Sequence, residues 1–127
     1  MTTNIKKRPL SPHLTIYRKE VNMMTSILHR ITGVALAFGI LLVVLWFLSA
    51  AISPFMFNNM STIINSIVGR LIMLASLIAL YYHFCAGIRH LIWDLGFGFE
   101  LEWVARSSVF VVAGTLILTC ITLFIII

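Results

Sequence analysis

Charge is what this sequence has least of. Nine Lys and Arg and four Asp and Glu residues make up 10% of the 127 positions, against roughly a quarter in soluble domains. Apolar residues make up 61% and mean hydropathy is +1.06. A soluble fold of this length has too little interior to hide that much apolar surface, which leaves a membrane protein. Carboxylates are scarcest of all: Glu20, Asp94, Glu100 and Glu102 stand at or outside the ends of apolar runs. A proton-coupled transporter subunit normally carries a carboxylate well inside a span, so that class is disfavoured. Cysteine is nearly absent. Cys85 and Cys120 lie in separate apolar runs without ligand spacing, which speaks against a disulfide framework, a zinc site or an iron–sulfur cluster and for two small buried thiols. There is no glycine-rich dinucleotide fingerprint, internal repeat or low-complexity segment. No apolar core with a small-residue cleavage site follows the start at signal-peptide spacing, so a cleaved targeting peptide is not expected.

What charge there is sits at borders. The net charge of +5 comes from basic residues at the ends of apolar segments, which points to membrane lipid and not to nucleic acid. Residues 1–25 read as a polar, basic N-terminal arm with Lys6, Lys7, Arg8, Arg18 and Lys19, kept extended around Pro9 and Pro12. Residues 26–127 read as a transmembrane domain with spans at about 27–52, 63–93 and 108–127. A linker at 53–62 carries Pro54, Asn58 and Asn59, and an amphipathic connection at 96–107 carries Glu100, Glu102 and Arg106. Lipid offers backbone groups no partners, so each span satisfies its own and is a helix. The expected fold is all-α and integral to the membrane: three transmembrane helices, up-down-up, packing with a partner anchor subunit into a bundle. Every basic residue but Arg70 lies at or before the start of the first span or around the second connection. That asymmetry puts the N-terminus and the 94–107 connection on the cytoplasmic or matrix side.

The chain is organised around YYHFCAGIRHLIWDLG, Tyr81 to Gly96. On a helix, His83, Gly87, His90 and Asp94 share one face. His83 then lies roughly 16 Å from Asp94, about half the depth of an apolar bilayer core. An imidazole there needs a partner. It is either a hydrogen bond to a Ser, Thr or carbonyl of another helix, or ligation of a metal or haem. Haem b suits the pattern, because a neutral imidazole binds the iron while basic groups two turns away hold the propionates. No other histidine of the chain is as deep, so a second axial ligand would come from another polypeptide. Ser26, Arg30 and Gly33 share a face at the inner end of the first span, with His29 beside Arg30. By the topology above they meet Arg89 and His90 at the same depth, forming a basic, hydrogen-bonding pocket suited to carboxylates. The plainer alternative is that the arginines snorkel to acidic head groups. Asp94 is expected to pair with an arginine or to cap its helix, Arg70 to snorkel outward, and Trp46, Trp93 and Trp103 to mark interfaces.

Two stretches carry a resemblance. The first is Arg8-Pro9 followed by SPHLTIY and then SILHRITG, Ser26 to Gly33; the second is HFCAGIRHLIWDLG, His83 to Gly96. With three spans and an inside N-terminus, the chain resembles the cytochrome b556 membrane-anchor subunits of succinate dehydrogenase, respiratory complex II. The resemblance implies that His83 is an axial ligand of a haem b shared with a second membrane-anchor subunit, whose own histidine binds the other side. It implies that His29 and Arg30 contact the haem propionates, with His90 near them. Ser26 and Arg30 would line the ubiquinone pocket, which the second anchor subunit and the iron–sulfur subunit complete. The implied reaction passes electrons from succinate, through FAD and iron–sulfur clusters held by the flavoprotein and iron–sulfur subunits, to ubiquinone. The chain would be a subunit of an enzyme, with no catalytic residue of its own. It would sit in the bacterial cytoplasmic or mitochondrial inner membrane. Two alternatives share this architecture: the anchor of a fumarate reductase running the reaction in reverse, and a haem-free structural anchor.

Overall fold

The computed structural model describes residues 20–126. The basic arm, with Lys6, Lys7, Arg8, Pro9, Pro12, Arg18 and Lys19, lies outside the described residues. Four helices follow one another: α1 (Val21–Ile52), α2 (Pro54–Asn65), α3 (Ile67–Asp94) and α4 (Leu101–Ile126), with no strand among the described residues. Three are long and apolar enough to cross a membrane. The shortest of these, at 26 residues, is roughly 39 Å long, against an apolar bilayer core of about 30 Å.

The short helix α2 replaces the linker expected at 53–62. Pro54 and the asparagines read as loop signals, yet Ser53 accepts a hydrogen bond from the Met56 amide at 3.2 Å and Pro54 occupies the first turn. Serine as N-cap with proline just inside is a helix start. At the other end, Ser66 breaks the chain between α2 and α3 and caps the latter, accepting from the Gly69 amide at 3.1 Å. Residues 63–65 therefore belong to α2, and α3 begins at Ile67. The second connection is also shorter than expected, since α4 starts at Leu101. The chain turns at Gly96 and Gly98, whose φ values of 87° and 79° fall in the left-handed region. Trp93 Nε1 donates to the Gly98 carbonyl at 3.1 Å and fastens the turn.

Burial runs opposite to that of a soluble domain. The outward faces carry large apolar side chains such as Phe38, Val44, Phe84 and Phe124, and the only buried apolar residues among those described are Tyr82, Ala86 and Val111. Buried polar residues outnumber them: Thr25, Arg89, Ser108, Thr115 and Thr119. Such a chain is solvated by lipid or protein on its outside.

Three of those polar residues, Thr25, Arg89 and Ser108, tie α1, α3 and α4 together at one end of the bundle. Arg89, 5% exposed, donates from Nη1 to the Thr25 hydroxyl at 2.9 Å and from Nη2 to the Val104 carbonyl at 3.3 Å. Its guanidinium stacks over Trp93, 4.2 Å from the ring centroid. Tyr82 donates to the Thr25 carbonyl at 3.0 Å. Ser108 shares its proton between the Val104 carbonyl and Asn22 Oδ1, at 2.9 and 3.1 Å. Arg89 stands apart from the pocket expected to hold it beside His90: it lies on the neighbouring face of α3 and closes the interior of the chain. Replacing Thr25 with valine keeps the shape but strands one charged donor. The expected loss is about 1–3 kcal/mol, read as a lower melting temperature of the detergent-purified complex and restored by Thr25→Ser.

Candidate functional site

The histidine face lies one residue further round α3 from this clasp. Three imidazoles from two helices form a column: His29 of α1 stacks on His83 at 4.2 Å between centroids and on His90 at 4.7 Å. Gly33 leaves the His83 ring room against α1, since a Cβ there would stand 3.0 Å from His83 Cε1 and the ring would have to shift. His83, His29 and Ser26 are half-buried, while Arg30 is exposed.

Hydrogen bonds fix the His83 tautomer. Nδ1 lies 3.1 Å from the His29 carbonyl oxygen and 3.3 Å from the Thr32 hydroxyl. A carbonyl accepts only, so Nδ1 carries the proton and a neutral ring keeps its lone pair on Nε2. Ring nitrogens paired in this way to a backbone carbonyl are the usual support of metal-ligating histidines. His90 Nδ1 likewise donates to the Ala86 carbonyl, at 2.8 Å. His29 differs: its Nε2 is buried and has no hydrogen-bond partner among the described residues. An enclosed polar nitrogen of this kind is unfavourable unless a further group reaches it. No cluster of three or more His, Cys, Asp or Glu side chains able to hold a metal ion by itself occurs among the described residues.

Ser26 and Arg30 are one helical turn apart on α1, and neither makes a side-chain hydrogen bond or ion pair among the described residues. Asp94, the last residue of α3, is exposed and has no ion pair among the described residues either. Five of the expected site residues thus fall on one side of α1 and α3. What the sequence does not announce is the clasp. Asn22, Thr25 and Ser108 look unremarkable in sequence; only the seven-residue spacing of Tyr82 and Arg89, the same face of α3, could have signalled it.

A cavity of about 350 Å³ between α3 and α4, lined by Arg89, Trp93 and Trp103 among others, includes none of Ser26, His29, Arg30, His83 and His90. Among the described residues the site is a half-buried face of the chain, with Arg30 exposed at its edge.

Comparison with known proteins gives the family. Residues 4–122 match the family described as succinate dehydrogenase/fumarate reductase transmembrane subunits. The chain belongs to that family. It is 43% identical over 120 residues to the succinate dehydrogenase cytochrome b556 subunit of Paracoccus denitrificans, covering 94% of this chain and 92% of the relative. The corresponding protein of Rickettsia conorii is 40% identical over 113 residues, covering 89% and 88%. The mitochondrial cytochrome b560 subunit of Sus scrofa is 41% identical over 115 residues, covering 87% of this chain and 66% of the relative. Membership makes the chain an integral membrane protein, in agreement with its three long apolar helices.

Proposed function

We propose that the chain is the haem b-binding membrane anchor of a succinate dehydrogenase, paired with a second anchor subunit and with the iron–sulfur and flavoprotein subunits. Its anchoring role follows from the relatives' names and the family match; the haem and ubiquinone roles rest on its side chains. The observation that carries the proposal is His83, held with Nδ1 on the His29 carbonyl and Nε2 left as a ligand. The residues present fit a haem in three respects. His83 offers the right nitrogen in the right tautomer, Gly33 leaves space for its ring, and the orphaned His29 Nε2 wants a polar group such as a propionate. Arg30 and His90 would supply further propionate contacts. When bound, the haem supplies a one-electron carrier between the soluble clusters and the membrane. From this chain His83 would hold the iron, and a further ligand would come from the second anchor subunit.

Ser26 and Arg30 make no side-chain hydrogen bond or ion pair among the described residues. Ser26 would donate its hydroxyl proton to a carbonyl oxygen of ubiquinone. Arg30 would stabilise the negative charge that grows on that oxygen during reduction, an effect strongest where water is excluded. The FAD and iron–sulfur clusters belong to the partner subunits. The Paracoccus, Rickettsia and Sus relatives are named for succinate dehydrogenase, which favours that direction over fumarate reduction.

A dithionite-reduced minus oxidised visible spectrum of the purified complex tests the proposal. A sharp b-type α-band is expected, and its absence would leave a haem-free anchor. Gly33→Ala gives a more local check. The added methyl pushes the His83 ring away from α1, so haem content is expected to fall while the subunits still assemble. Full haem with an unchanged spectrum in that variant would mean that the ring is not seated there.

A further inference from the structure

We infer that Thr32 is a positioning residue for the iron ligand, its hydroxyl oxygen holding His83 Nδ1–H and so setting the ring's plane and the haem's potential. The inference rests on the proposed haem ligation and extends it to a residue outside the ligand and propionate set.

Thr32 lies on α1 one turn beyond Leu28, and its hydroxyl stands 2.9 Å from each of the Leu28 and His29 carbonyls. Those acceptors take its single proton. The oxygen's lone pairs are then free, and the group facing them is His83 Nδ1 at 3.3 Å. Nδ1–H is thus shared between two acceptors of the same helical turn, the His29 carbonyl and the Thr32 oxygen. A second acceptor on the N–H restricts the ring's orientation more than one alone. Thr25 accepts from α3 in the same manner, through Arg89 Nη1 at 2.9 Å, whereas two other threonines do not. Thr115 and Thr119 hydrogen-bond back to their own helix and make no bond to a second helix. Such back-bonding alone has no effect on a neighbouring helix. Thr32 does the same and in addition receives a proton from α3.

The chemistry gives the sign. An acceptor on the distal N–H makes an imidazole a stronger donor to its metal and favours the oxidised, more positive iron. Losing one of two such acceptors weakens the ligand and raises the midpoint potential.

The experiment compares wild type, Thr32→Val and Thr32→Ser in the intact four-subunit complex, reading haem content, haem midpoint potential and the low-spin ferric EPR spectrum. Valine keeps the volume and removes the oxygen; serine keeps the oxygen. Thr32→Val is expected to shift the ferric/ferrous equilibrium about threefold towards ferrous, a rise of about 28 mV at 59 mV per tenfold for one electron. It should also move the low-field EPR feature, and Thr32→Ser should restore both. Loss of haem in the valine variant with retention in the serine variant would support the inference equally. An unshifted potential and EPR spectrum in Thr32→Val at full haem content would overturn it, as would the same defect in both variants. A wild-type complex without b-type haem would instead sink the proposed haem ligation on which it rests.

Discussion

Alanine at position 83 is expected to remove the b-type α-band from the reduced-minus-oxidised spectrum. His83 offers an Nε2 from the outward, half-buried face of α3, with its Nδ1 supported by a carbonyl of the neighbouring helix. Changes in the supporting groups of a metal ligand already weaken binding by roughly 10- to 100-fold; removing the ligand should exceed that. Little of the fold depends on the ring. Its contacts are the stack on His29 and the bonds to His29 and Thr32, whereas the helices are joined through the clasp on the adjacent face. Succinate oxidation by a soluble artificial acceptor should therefore survive, as a check that the complex has assembled. An unchanged spectrum in His83→Ala would remove this chain from the haem altogether.

Lysine in place of Arg30 is expected to lower succinate:ubiquinone reductase activity by at least about tenfold while sparing reduction of a soluble acceptor. Lysine keeps the charge but loses the planar fork that meets two acceptors at once. Groups that stabilise developing charge in a dry site are worth about 10²–10³ in rate, and a misplaced cation forfeits a good part of that. Arg30 is exposed and makes no side-chain hydrogen bond or ion pair with another described residue, so a defect in folding is not expected. Ser26→Ala removes one neutral hydrogen bond, of about 0.5–1.5 kcal/mol, and should slow the same reaction only about two- to tenfold. Equal loss of both activities in Arg30→Lys would point to failed assembly and away from quinone chemistry.

Much of the fold and the histidine face is legible in the sequence, and the reasons are physical. A histidine in the middle of an apolar run is conspicuous because lipid makes it unfavourable, and helical periodicity then carries the eye to His90. His29 is legible for its place beside Arg30, yet nothing in sequence indicates that it stacks between the other two rings. Arg89 misleads, because proximity to His90 in sequence says little about direction: one residue is about 100° of helix. The helix at 54–65 hides behind proline and asparagine, which read as loop signals until the serine ahead of the proline is recognised as its cap. The Asn22–Thr25–Ser108 contacts join residues up to 86 positions apart, and only the registration of three packed helices brings them together.

The clasp and the imidazole column occupy neighbouring faces of the same helices, so that consecutive codons serve separate ends. Tyr82 precedes His83, Arg89 precedes His90, and Thr25 precedes Ser26; the first of each pair points inward and the second outward. A mutant screen of this gene should then show alternating phenotypes along two short stretches. Changes at the inward positions reduce the amount of complex recovered, whatever its colour. Changes at the outward positions leave the amount intact and alter colour or respiration. Sorting alleles by abundance against absorbance per complex would draw the boundary between the two faces without any further structure.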